Sequence, residues 1–131
     1  MLIVDASCLY EVVVDTPHSE QIRRRLADDR DQAAPHLVDA EVLGVIRKHH
    51  LLGELDRTAA AQAVEDLRDW PGDRVSHRSL LARAWELHET VRTWDALYVA
   101  LAEALDAPLL TLDRRLARAK GPRCPIEVVA T

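Results

Sequence analysis

The chain has 131 residues, 48% of them hydrophobic and 30% charged, with a formal net charge of −5. That length and balance predict one folded domain with a real core, and they argue against a disordered chain or an overtly basic nucleic-acid binder. Phe is absent, so Leu, Val, Ile and Ala must fill the interior, and contact with a polyanion would need a local basic patch or bound cations.

Continuous apolar residues in LIVDA (2–6) predict a strand buried on both faces. SCLYEVVVD fits helix or strand by periodicity, and its closeness to the first strand favours helix. Thr16-Pro17 opens a further helix, with Pro17 in its first turn, and RRRLADD closes it. Pro35 opens PHLVDAEVLGVIRKHHLLG, helical by the spacing of Val38, Val42, Val45 and Ile46, with Gly53 as its stop. Thr58 caps TAAAQAVEDLRDW, which Pro71-Gly72 ends, and a short DRVSH strand precedes the helix SLLARAWELHETV. TWDALYVALAEALD is helical, with Thr93 as N-cap and Asp95 in the first turn. APLLTLD (107–113) is the second buried strand, RRLARAK a short helix, and PIEVVA a last strand. Strands alternating with helices predict an α/β fold: a three-layer α/β/α domain over residues 1–131, with a central, mostly parallel sheet and helices on both faces.

In such a sheet, ligands bind outside the C-terminal ends of the strands. Both clear strands end there in aspartate, at Asp5 and Asp113. Either one alone is an ordinary strand-exit or N-cap residue, but two together suggest a site. Asp95 sits where the helix dipole favours a carboxylate. Glu41 and Asp39 border opposite edges of one apolar stripe, and periodicity does not choose between them. Two unit charges ~4 Å apart repel by about 4 kcal/mol at an effective dielectric near 20. Converging carboxylates must therefore bind a proton or enclose a cation, and all-oxygen ligands suit Mg²⁺ or Mn²⁺ over zinc.

LIVDAS, PHLVDAEVLGVIRK, TWDALYVALAEALDAPLLTLDRRLARA and the closing β-segment resemble the PIN-domain ribonucleases, and among them the VapC toxins of bacterial toxin–antitoxin pairs. The order D…E…DAxYxALA…LxTxD runs through essentially the whole chain. The resemblance implies an acidic quartet of Asp5, Glu41, Asp95 and Asp113, which selects Glu41 over Asp39. It further implies that one or two Mg²⁺ or Mn²⁺ ions serve RNA phosphodiester hydrolysis, with no side-chain nucleophile. Ser7 and Thr111 match the family's hydroxyl positions. Either hydroxyl could orient a carboxylate, although Thr111 is also a plain strand former. The implied partners are RNA, a second copy in a homodimer, and a cognate VapB-type antitoxin in a hetero-oligomer. The antitoxin's C-terminal segment would lie in a groove beside the acidic site, with an Arg reaching the carboxylates. Trp70, Trp85 and Trp94 are candidates for that interface, against the alternative of core packing. Two other readings stand beside this one: a PIN nuclease of RNA processing, and an inert acidic pocket that only binds an antitoxin.

The run RRLARAKGPR, with Arg114, Arg115 and Arg118, follows Asp113 without an intervening acid and could steer phosphate or simply be solvated. RRR at 23–25 reads as a solvated face. Ser7 lies in no GxSxG elbow, the four glycines form no phosphate loop, and no HExxH is present. A haloacid-dehalogenase-like reading of LIVDAS lacks the second Asp, which Ser7 replaces. Cys8 and Cys124 form no CxxC pair, which predicts reduced thiols in a cytoplasmic setting. The N-terminus lacks a basic segment, against a signal peptide, and no run approaches the ~20 apolar residues of a membrane span.

Overall fold

The computed structural model describes residues 1–130. In chain order it contains β1 (Leu2–Val4), α1 (Ala6–Val14), α2 (Ser19–Asp28), β2 (Gln32–Pro35), α3 (Leu37–Leu51) and α4 (Arg57–Asp69). There follow β3 (Asp73–Val75), a 3₁₀ turn over Arg78–Leu80, α5 (Leu81–Glu86), α6 (Thr93–Ala104), β4 (Leu109–Thr111), α7 (Arg114–Arg118) and β5 (Ile126–Val128). The strands form one sheet in the order β3-β2-β1-β4-β5, and every pairing is parallel.

The chain steps from β1 to β2 to β3 in one direction, then returns and steps from β4 to β5 in the other. Right-handed crossovers taken in opposite directions place their helices on opposite faces. Accordingly α1 packs on α2, α3 and α4, whereas α6 packs on α5 and on β1, β2 and β4. This is the expected α/β/α sandwich. The central pair, β1 and β4, brings Ile3 opposite Leu109 and Val4 opposite Leu110. Their connections leave in opposite directions, and at such a switch point a crevice opens beyond the strand ends.

Both strands of that pair are wholly buried, as a sheet covered on two faces requires. Helix α6 is buried from Ala96 through Ala102 without a break, because it is enclosed between the sheet and α5. Three of those positions, Ala96, Ala100 and Ala102, are alanine, which lets the helix lie close to the strands. Each methylene buried this way is worth about 0.8 kcal/mol, so α6 fixes the position of whatever side chains its first turn carries.

Several local expectations change. Segment 32–35 is a strand, and Pro35 ends it; α3 begins two residues later. Thr16 and Pro17 form a turn before α2, in which the Ser19 N–H donates to the Thr16 carbonyl at 3.0 Å. The cap of α4 is Asp56, whose carboxylate accepts from the Ala59 N–H at 2.7 Å, and not Thr58. Arg92 holds the N-cap place of α6, with Thr93 as the first helical residue. The helix expected over 79–91 is only α5, followed by turns. Among the described residues no helix is long and apolar enough to cross a membrane.

Candidate active site

Asp5 follows β1 directly and caps α1, accepting the Cys8 N–H at 3.1 Å. Its own N–H donates to the Leu110 carbonyl of β4, so the backbone is pinned from both sides. The side chain is only 7% exposed. Two hydroxyls hold it: the Ser7 hydroxyl donates to Oδ1 at 2.6 Å, and that of Thr111 donates to Oδ2. Each hydroxyl in turn accepts a backbone N–H from the strand exit, Leu112 to Ser7 at 3.2 Å and Asp113 to Thr111 at 3.0 Å. Each hydroxyl thus accepts one N–H and donates its single proton to Asp5. Burial pushes the Asp5 carboxyl above the usual carboxylate range. The Ser7, Thr111 and Cys8 bonds counter that rise, and the charge of Asp95 adds to it.

Glu41 comes from the second turn of α3 and accepts the Tyr98 hydroxyl at 2.9 Å. Burial raises its carboxyl, Tyr98 opposes, and the charges of Asp5 and Asp95 raise it further. Burial likewise raises Asp95; Arg92 opposes this and Asp113 reinforces it. Asp113 caps α7 through the Arg115 N–H at 2.8 Å. The four predicted carboxylates thus lie within electrostatic reach, each of at least one other, at the ends of β1 and β4 and on the facing turns of α3 and α6. Asp39 is elsewhere: it takes Arg74 at 3.1–3.3 Å, which separates two residues that periodicity left equal.

Two openings flank the carboxylates. One, of about 320 Å³, is lined by Arg92, Asp95, Asp113 and Arg115 among others. The second is a groove of about 690 Å³ whose walls include Tyr10, Leu37, Glu41, Val45, Trp94 and Leu112. Arg115 therefore faces the site. Arg114 and Arg118 are exposed on α7 and line neither opening. Trp94 is 57% exposed at the groove and Trp85 is exposed on α5, stacked on His88 at 4.0 Å. Trp70 is in the core, its indole N–H donating to Gln32 at 3.1 Å. Neither Tyr98 nor Arg92 is among the site residues expected from sequence, although Tyr98 is the Y of the DAxYxALA order; the two stand three residues after and three before Asp95.

The donor set fits a hard divalent ion in its chemistry: carboxylate oxygens only, charged groups crowded together, and a guanidinium already drawn to two of them. Among the described residues no three His, Cys, Asp or Glu side chains stand ready to close on a metal. Asp5 is held by its hydroxyls, Glu41 by Tyr98 and Asp113 by the α7 backbone, and each carboxylate keeps lone pairs beyond those bonds.

Comparison with known proteins identifies the family. Residues 2–122 match the PIN domain family. Ribonuclease VapC1 of Mycobacterium tuberculosis is 39% identical over 128 residues, covering 97% of this chain and 96% of that protein. The crystal structure of PAE2754 from Pyrobaculum aerophilum superposes with a TM-score of 0.67 at 27% identity, over 97% of this chain and 83% of that one. That of VapBC2 from Rickettsia felis, bound to a DNA fragment from their promoter, gives 0.72 at 14% identity, over 97% of each chain, and shows the shared fold. With its acidic residues at the switch point and relatives of this kind along nearly its full length, the chain belongs to the PIN-domain family, among the VapC-type proteins.

Proposed function

We propose that this protein is a divalent-metal-dependent endoribonuclease and the toxin of a toxin–antitoxin pair, with Asp5, Glu41, Asp95 and Asp113 as ligands of Mg²⁺ or Mn²⁺. The observation that carries the reading is the gathering of four acidic side chains from separate elements at the switch point, in a chain whose relatives are named ribonucleases. A bound Mg²⁺ or Mn²⁺ supplies Lewis acidity there, polarising a phosphoryl oxygen and acidifying water. The chain's own residues hold and orient. Ser7 and Thr111 keep both Asp5 oxygens in fixed directions, and Tyr98 does the same for Glu41. Burial and the charge of Glu41 push the Tyr98 hydroxyl far up, so it stays a donor. The family resemblance implies no side-chain nucleophile, and burial raises the Cys8 thiol far above its ordinary value. Arg115 stands where a phosphate would approach, with Arg114 and Arg118 as outer cations.

The groove beside Glu41 supports an antitoxin as partner. Its apolar walls and the adjoining carboxylates suit a segment that is hydrophobic along its length and ends in a basic side chain. A cytoplasmic homodimer bound in this way follows from the family resemblance. The test uses antitoxin-free protein, total RNA and Mg²⁺ or Mn²⁺, beside Asp5→Ala and Asp95→Ala. Defined fragments from the wild type alone, lost on chelation, are expected. Equal cleavage by all three proteins overturns the assignment, and no cleavage by any favours the inert binding pocket.

A further inference from the structure

Arg92 is anchored by nothing except the site. Among the described residues its guanidinium makes no hydrogen bond, and as the N-cap of α6 its side chain makes no capping bond. It is 77% exposed. Yet Nε lies 3.8 Å from Asp95 Oδ2, and a terminal nitrogen lies 3.7 Å from Asp113 Oδ2. The other acidic groups have donors of their own: Ser7, Thr111 and the Cys8 N–H for Asp5, Tyr98 for Glu41. Asp95 accepts no hydrogen bond among the described residues, and Asp113 uses Oδ1 for the Arg115 N–H. The oxygens left over are those that Arg92 spans.

We propose that the Arg92 guanidinium is a built-in counterion of Asp95 and Asp113, two of the carboxylates that would hold a divalent ion, so that metal loading is an exchange of one cation for another. Both contacts exceed hydrogen-bond length, and the side chain is solvated, so the hold is loose and reversible. Arg92 thereby sets a threshold for the metal. It offsets part of the charge of two carboxylates in the metal-free protein, and its positive charge opposes the incoming ion by Coulomb repulsion. Once displaced it remains at the mouth of the opening that Arg115 also lines.

This inference rests on reading the quartet as a divalent-ion site, and the experiment separates the two. Mn²⁺ alone is titrated into the full-length, antitoxin-free protein by calorimetry, and free Mn²⁺ is counted by electron paramagnetic resonance. Arg92→Ala should bind Mn²⁺ about 5-fold more tightly or better at low salt, with the gain shrinking as salt screens the charge. Arg92→Lys, which keeps the charge, should stay near the wild type. Unchanged far-ultraviolet circular dichroism in both variants shows that α6 is intact. Binding by the wild type with no tightening in Arg92→Ala overturns the counterion proposal alone. Equal tightening in Arg92→Ala and Arg92→Lys also overturns it, since charge would not be the cause. No Mn²⁺ binding by the wild type or Arg92→Ala overturns the metal-site reading and this inference with it.

Discussion

Thr111→Val removes one oxygen from the interior and changes almost nothing else. The side chain is fully buried, and valine has nearly the same shape, so no cavity opens. Two partners are stranded: Asp5 Oδ2 loses a donor and the Asp113 N–H loses its acceptor. A hydrogen bond to a charged group contributes about 1.5–3 kcal/mol, and an unsatisfied buried N–H costs about 1–3 kcal/mol. Part of this is relieved because Asp5 can take up a proton, so the net loss should be about 2–4 kcal/mol. For a chain of this size that corresponds to roughly 10 °C in Tm. Thr111→Ser keeps the hydroxyl and discards a methyl, at about 1 kcal/mol. The assay is urea unfolding of the metal-free protein in EDTA. A carboxyl whose folded-state pKa is raised destabilises the fold as pH rises above its unfolded value, and the variant raises Asp5 further. The deficit of Thr111→Val should therefore be larger at pH 8 than at pH 4. The reasoning is refuted if Thr111→Val unfolds within about 0.5 kcal/mol of the wild type, or if serine proves worse than valine. Either result would mean that Thr111 serves packing alone.

Tyr98→Phe strips Glu41 of the bond that favours its charged form, so Mn²⁺ affinity should fall severalfold in calorimetry while the fold persists. Asp39→Asn should cost stability through the loss of Arg74's partner yet leave RNA cleavage at the wild-type rate, whereas Glu41→Gln should abolish cleavage in the same gel assay. A Cβ at Gly72 would run into the Trp70 ring; Gly72→Ala should therefore destabilise by about 1–3 kcal/mol and red-shift tryptophan emission. Burial raises the Glu103 carboxyl, but the Arg83 hydrogen bonds and the Arg123 N–H outweigh it and hold the group below its usual range. That stabilisation is complete above the unfolded value of about 4.3 and disappears as pH falls through the lower folded value. The difference between wild type and Glu103→Gln in urea titrations should shrink accordingly from pH 6 to pH 3.

The two strands that matter most were legible because β1 carries an unbroken Leu, Ile and Val run, β4 is rich in Leu, and an aspartate follows each within two residues. Strand β2 was not. Ala33 and Ala34 have no β-branched signature, and Pro35 resembles a helix start; they form a strand because β1 and β3 pair with them on either side. The cap of α4 was misplaced at Thr58 by two residues, since Asp56 and Thr58 are both capping types and only the backbone angle of Asp56 decides. Asp5 and Asp113 could be placed by their strands. Glu41 could not be told from Asp39 by periodicity, because what distinguishes them is Arg74, distant in sequence and near in space. Arg92 illustrates the deeper limit. Its nearness to Asp95 is helical spacing, but its nearness to Asp113 depends on how α6 lies against the end of β4.

The contact from Thr111 to Asp5 joins residues 106 apart in the chain. A ribosome adding ~5–20 residues per second releases Asp5 roughly 5–20 s before the hydroxyl that must hold it. Throughout that interval β1 lacks its β4 neighbour, Asp113 has not been made, and the Asp5 carboxylate stands in water with only local partners. The acidic site therefore cannot assemble on a growing chain until β4 and the residues after it have been made, and until then Asp5 keeps only Ser7 and the Cys8 N–H as partners.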